Sequence, residues 1–163
     1  MKNLSLLLFF GINLLWICEG LENYLAHPLY PCIKCLCHAR TGCWLRQNCA
    51  RYSISEKYWR DAGALTTNGR DTRNSYRNCM WNENCIVGTI ISYTEKFGKR
   101  DCNCDGSFDC KDRLAIHLFG DECENPKFNS TYARRFNECA AQVGVSTMLD
   151  VEGHDNCNAP EVE

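Results

Sequence analysis

The side chains in this sequence that carry the most chemistry are thiols. Fourteen cysteines occur in 163 residues, Cys18 in an N-terminal apolar run and thirteen between Cys32 and Cys157. Thiols at that density either ligate metal or pair as disulfides, and the compartment decides which. Cys32, Cys35, Cys37 and His38 have the close spacing of a zinc site, but an oxidising compartment turns the same spacing into disulfides. A second cluster is acidic. Asp101, Asn103, Asp105, Gly106, Asp109 and Asp112 fall at positions one, three, five, six, nine and twelve of a calcium-loop pattern. Against calcium, Asp112 is shorter than the usual terminal Glu, and Cys102, Cys104 and Cys110 interrupt the loop. The competing reading is an acidic loop pinned by disulfides as it enters a helix. No metal and no cofactor are expected. A third motif, Asn129-Ser130-Thr131, is a glycosylation acceptor and suits an exposed, secreted segment.

The N-terminus points to the compartment. Met1 and Lys2 precede an apolar stretch from Leu4 to Ile17, and Cys18 and Gly20 are small residues at signal-peptidase spacing. Residues 1–20 therefore read as a signal peptide cleaved after Gly20, too short for a membrane span, with a retained anchor as the alternative. No later run is apolar enough to span a bilayer. The expected localisation is secreted and extracellular, where the cysteines pair. Thirteen is odd, so one thiol is left for a partner chain, for further processing or for none.

Charge divides along the chain. Leu21 to Arg100 carries twelve Lys/Arg against six Asp/Glu, and Asp101 to Glu163 carries five against thirteen. A basic front half could steer the protein toward anionic polymers, or the two halves could pack and offset each other. No nucleic-acid partner is expected.

The elements that must position these residues follow from periodicity. Asn84–Phe97 places Val87, Ile90, Ile91, Tyr93 and Phe97 near one helical face, with Gly98 as the stop. Cys110–Phe119 groups Leu114, Leu118 and Phe119 before Gly120. Ser130–Val143 has Ser130 as N-cap, Tyr132, Phe136 and Ala140 on one face, and Gly144 after it. Glu56 lies near the start of another helix. Between Cys37 and Trp59 the pattern is strand-like, with Tyr52 and Ile54 alternating with polar residues. The predicted fold class is α+β: a small disulfide-rich domain over 32–123, after a lead-in at 21–31, with a helical C-terminal extension and acidic tail at 124–163.

Several motifs in order resemble the invertebrate-type lysozymes, the destabilase family. Cys32-Ile-Lys-Cys35-Leu-Cys37-His-Ala-Arg40-Thr41-Gly42-Cys43 looks like the family's opening. Tyr58-Trp59-Arg60-Asp61-Ala62-Gly63 is similar to its Tyr-Trp-x-Asp-Cys-Gly. Cys79 and Cys85 keep its five-residue gap, Tyr93-Thr-Glu-Lys-Phe97 fits Tyr-Met-x-Arg-Tyr, and Cys110, His117 and Cys123 follow. Ala62 and Thr89 stand where the family has two cysteines that pair with each other, so both partners are lost together. The resemblance implies a lysozyme-like fold and the pairs Cys32–Cys110, Cys37–Cys43, Cys79–Cys85 and Cys104–Cys123. Cys35, Cys49, Cys102, Cys139 and Cys157 stay unassigned.

The resemblance also implies a reaction, hydrolysis of β-1,4 links in peptidoglycan by two carboxylates, one a proton donor and one a stabiliser or nucleophile. Here Arg40 occupies the position of the acid. The segment between Cys43 and Cys49, where the second carboxylate would follow, has none. No residue is therefore assigned as catalytic, and Glu56, Asp61, Asp71 and Glu83 are the carboxylates left to substitute. His117 matches a family histidine and is either a site residue or structural. Trp44, Trp59 and Trp81 could stack on sugar rings or pack in the core. The reading is a lysozyme-family antibacterial protein with glycosidase activity lost or strongly reduced, binding bacterial peptidoglycan or a related glycan. An active glycosidase with relocated carboxylates and a non-glycan disulfide scaffold or inhibitor are the alternatives.

Overall fold

The computed structural model of the chain describes residues 21–42, 54–124 and 128–145. Among them are six α-helices: α1 (Tyr30–Thr41), α2 (Glu56–Asp61), α3 (Ser75–Cys79), α4 (Glu83–Lys96), α5 (Cys110–Phe119) and α6 (Ser130–Val143). Single 3-10 turns lie at Tyr24–Ala26 and Gly120–Glu122.

α1 runs through the middle of the core. Pro31 sits in its first turn, where a missing N–H costs nothing, and Gly42 ends it in the left-handed conformation at φ 72°. Cys32, Ile33, Cys35, Leu36, Cys37, His38 and Ala39 are all buried. This burial around most of its circumference removes the polar face that reveals a helix in sequence. The strand reading of 37–59 fails at both ends for this reason. Cys37–Thr41 is the last part of α1, and Glu56–Asp61 is α2, capped by Ser55 through the Tyr58 amide. Tyr52 lies outside the described residues, while Ile54 is core at 3% exposure. No strand occurs among the described residues, which show a small, disulfide-rich, mostly helical architecture; the sheet of the expected α+β class is not seen in them.

α4 and α5 lie close to the predicted spans. Asn82 caps α4 through the Cys85 amide, and Asp109 and Asp112 form a reciprocal capping box on α5. The cap of α6 is Asn129, one residue before the expected Ser130, and Gly144 ends that helix. Gly88 on α4 admits the Tyr24 ring: a Cβ there would sit 2.4 Å from its Cε2. The lead-in thus packs on the core through Leu21, Tyr24 and Leu29.

α6, read from sequence as part of an extension, shares the core of the other helices. Ala133, Phe136, Cys139 and Ala140 join the cluster of Ile33, Leu36, Ile86, Ile90 and Leu114. Burial of Phe136 and of the Ile and Leu side chains it meets is worth about 1.5–3 kcal/mol each.

The described disulfides are Cys32–Cys110, Cys35–Cys139, Cys79–Cys85 and Cys102–Cys123. Cys35–Cys139 bolts α6 to α1 directly. Cys123 pairs with Cys102, which corrects the expected pairing with Cys104. Cys102 is fully buried, its amide donates to the Asp112 carboxylate at 2.8 Å, and its Cα lies 5.3 Å from that of Cys123, within disulfide reach. Cys104, half-buried in a left-handed conformation at φ 57°, is disulfide-bonded elsewhere, to a cysteine outside the described residues. The expected Cys37–Cys43 pair involves Cys43, which also lies outside them. Ala62 and Thr89, in place of the lost cysteine pair, are both buried, and the Thr89 hydroxyl is satisfied by the Cys85 carbonyl at 2.8 Å.

Candidate functional site

The last turn of α1 carries Arg40, exposed beyond the buried run that ends at Ala39. Its guanidinium donates to the Tyr132 hydroxyl on α6 and lies 5.6 Å from the centre of that ring. A second guanidinium backs it. Arg135 lies against Gly42 so closely that a Cβ on Gly42 would come within 3.0 Å of its Cζ. Two cations therefore gather at the C-terminal end of α1, where the helix dipole favours positive charge. On the α6 side, Glu138 bonds Arg134 at 2.5 Å, and its other oxygen is 3.8 Å from His38 Nε2.

α5 contributes His117 to the same neighbourhood. The imidazole is buried, and its Nδ1 is 2.9 Å from the Tyr58 hydroxyl on α2. Burial, then the positive charge of Arg40, lowers the imidazole pKa to about 4, so it is neutral at physiological pH. The Tyr58 ring stacks on Tyr93 of α4, with centroids 3.6 Å apart and planes 20° from parallel. Burial pushes the Tyr58 hydroxyl well above its ordinary range, and burial raises Tyr93 too. Four helices thus bring Arg40, His117, Tyr58 and Tyr93 together into a neutral, aromatic, hydrogen-bonded wall beside a cationic lip. Tyr58, Tyr93, Tyr132 and Arg135 were not singled out as site residues from sequence. At best the helical spacing of Tyr93 and Tyr132 could have placed them on an inward face.

The carboxylates left to substitute for a catalytic pair do not assemble here. Glu56 is paired with Arg60 at 2.7 Å and exposed. Asp61 is held by Lys57 at 2.6 Å and Lys96 at 3.8 Å, and the hydrogen bond from Lys57 lowers its pKa. A general acid needs the opposite shift. Glu83 accepts from the Tyr30 hydroxyl at 2.8 Å, and Asp71 is exposed. Asp112 is the carboxylate that burial raises, but it is fully enclosed and occupied by the amides of Cys102, Asn103 and Asp109.

That same occupation bears on the calcium pattern. Asp112 faces amides, Asp101 accepts from the Asp105 and Gly106 amides, and the Lys111 ammonium bonds Asp105 and lies 3.4 Å from Asp109. The loop's carboxylates therefore accept backbone amides at Asp101 and Asp112 and meet the Lys111 ammonium at Asp105 and Asp109. The zinc-like spacing of Cys32, Cys35, Cys37 and His38 also dissolves, because Cys32 and Cys35 are disulfides to α5 and α6. No cluster of three or more His, Cys, Asp or Glu suited to a metal occurs among the described residues. Of the tryptophans, Trp59 is core, 1% exposed, with its indole N–H on the Leu65 carbonyl at 2.7 Å. Trp81 is 65% exposed on the turn closed by Cys79–Cys85, and Trp44 lies outside the described residues.

The site is thus a buried histidine and aromatic wall with a cation at its lip, set in a small helical domain braced by disulfides. The family model described as Destabilase matches residues 30–139, more than half of the chain. The chain belongs to that family, the invertebrate-type lysozymes, whose lysozyme-like function is antibacterial. The match reaches into α6 as far as Cys139, in keeping with the place of that helix in the core. A search of curated proteins and one of solved structures found no match. The disulfides are compatible with an extracellular protein, and no helix among the described residues is long and apolar enough to cross a membrane.

Proposed function

We propose that this chain is a secreted invertebrate-type lysozyme-family protein of antibacterial defence that has lost its glycosidase chemistry and retains binding to peptidoglycan or a related glycan. Arg40 carries the reading. It stands at the position matching the family's acid, exposed at the end of α1, with its guanidinium engaged by Tyr132. An arginine has no proton to give at neutral pH. It also opposes the positive charge that develops on the sugar in the transition state. At ~4 Å and an effective dielectric of ~20 that repulsion is about 4 kcal/mol, or roughly a thousandfold in rate. Loss of general acid catalysis removes about another 100-fold to 10,000-fold.

The reading gains support from the engagement of Glu56, Asp61 and Glu83 elsewhere, each held by a neighbouring donor. The cationic lip formed by Arg40 and Arg135 would favour anionic wall polymers over neutral glycans. The test is turbidity loss of a bacterial wall suspension, alongside pelleting with insoluble peptidoglycan and with chitin. Refolded, disulfide-intact protein should leave turbidity unchanged and sediment with peptidoglycan. Lysis by the wild type would overturn the loss of activity, and failure to sediment with either polymer would favour a scaffold without a glycan role. Arg40→Glu should not restore lysis, because the second carboxylate is still missing.

A further inference from the structure

Asn129-Ser130-Thr131 is a motif that the lysozyme-type reading leaves unused, and the structure gives it a defined geometry. It is the sole Asn-X-Ser/Thr triplet after the N-terminal apolar run. Asn129 precedes α6 in an extended conformation, φ −62° and ψ 136°, and is exposed. Its carboxamide is divided between two tasks. Oδ1 accepts from the Thr131 amide at 2.8 Å and so caps the helix, while Nδ2 has no hydrogen-bond partner among the described residues. The residue before it is anchored, since the Phe128 ring lies 6.1 Å from that of Phe119. The acceptor nitrogen is therefore presented outward from a fixed point.

We propose that Asn129 is N-glycosylated and that the glycan and the helix cap coexist on one side chain. The donor is a lipid-linked oligosaccharide diphosphate. A bond forms between Nδ2 and the anomeric carbon of the first sugar. The bond from that carbon to the lipid diphosphate breaks, the diphosphate leaves with the electron pair, and the one proton lost from Nδ2 passes to the departing diphosphate. No oxidation or reduction is involved. The amide oxygen is untouched, so the bond to the Thr131 amide survives. The sugar then stands one helical turn from Tyr132, on the α6 side of the Arg40 lip.

The full chain expressed in secreting eukaryotic cells provides the test, read by peptide mass before and after peptide N-glycosidase. Wild type and Thr131→Ser should carry a glycan that the enzyme removes, leaving Asp at position 129. Thr131→Ala and Asn129→Asp should lack it, with α6 still capped by the side-chain oxygen at 129. Secreted wild type with unmodified Asn129, or a glycan at 129 in Thr131→Ala, would overturn the proposal. The deciding measurement is on the wild type, so a variant that fails to fold leaves the result intact.

Discussion

At the C-terminal end of α1 an arginine stands exposed against a tyrosine, whereas in the loop from Asp101 to Asp112 the carboxylates are turned onto amides and one ammonium. The first region carries an arginine where the sequence resemblance leads one to expect a carboxylate. The second matches a calcium pattern in spacing, and its carboxylates accept from backbone amides and from the Lys111 ammonium. In both, what the side chains face decides more than where they fall in the sequence. A carboxylate becomes an acid catalyst or a metal ligand only if burial and neighbours leave it available. Here the loop stiffens the entry to α5, and α5 in turn holds His117 behind Arg40.

The largest effect should come from the bolt that holds the lip together. Replacing Cys35 and Cys139 together with serine avoids an orphan thiol and removes the tie between α1 and α6. With Cys32–Cys110 intact the closed loop is roughly 30 residues, so the loss should be about 3–4 kcal/mol, read as a lower denaturant midpoint. A change under about 1 kcal/mol would mean that apolar packing alone secures α6.

Next is acid sensitivity at His117. Its folded pKa is about 4 against an ordinary 6.5, so the folded state binds fewer protons than the unfolded state between those values. The associated stability is present above pH 6.5 and is lost as pH falls toward 4, on the order of 3 kcal/mol. Unfolding free energies measured across this window should show that slope, and His117→Asn should flatten it. An unchanged slope in the variant would place the acid response elsewhere.

Within the loop, Asp112→Asn keeps one accepting oxygen but turns an NH2 toward the Asp109 amide. The expected cost is about 1–3 kcal/mol, while Asp101→Asn, at the open edge, should cost less than about 1 kcal/mol. Equal costs would erase the distinction between a buried cap and an exposed loop carboxylate. At the lip, Tyr132→Phe removes one hydrogen bond to an exposed guanidinium and should cost under about 1 kcal/mol. The smallest readout is electrostatic: Arg40→Ala should move the His117 titration upward, seen by NMR, because the Arg40 charge lowers it.

Legibility varied with how local the signal was. α5 and α6 have the bounds that their apolar spacing and terminal glycines announced, since both features belong to consecutive residues. α1 was missed because a helix buried on nearly every side has no polar stripe, and its cysteines read equally well as a loop. Cys32–Cys110 and Cys79–Cys85 came from the resemblance, not from spacing. The pairing of Cys123 with Cys102 rather than Cys104 depends on how the loop folds onto Asp112, which no sequence pattern encodes. The aromatic wall of Tyr58 and Tyr93 behind His117 needed three helices to meet.

By itself the sequence determined the disulfide-rich class, the family, the ends of α5 and α6, and the absence of a carboxylate at position 40. These depend on residue identity and on spacing within a turn or two. Only the tertiary structure decided that α6 belongs to the core, that Cys35 reaches Cys139, and that Arg40 meets Tyr132 beside a neutral His117. Each of those joins residues tens of positions apart, and such contacts are fixed by how buried faces pack rather than by any local preference.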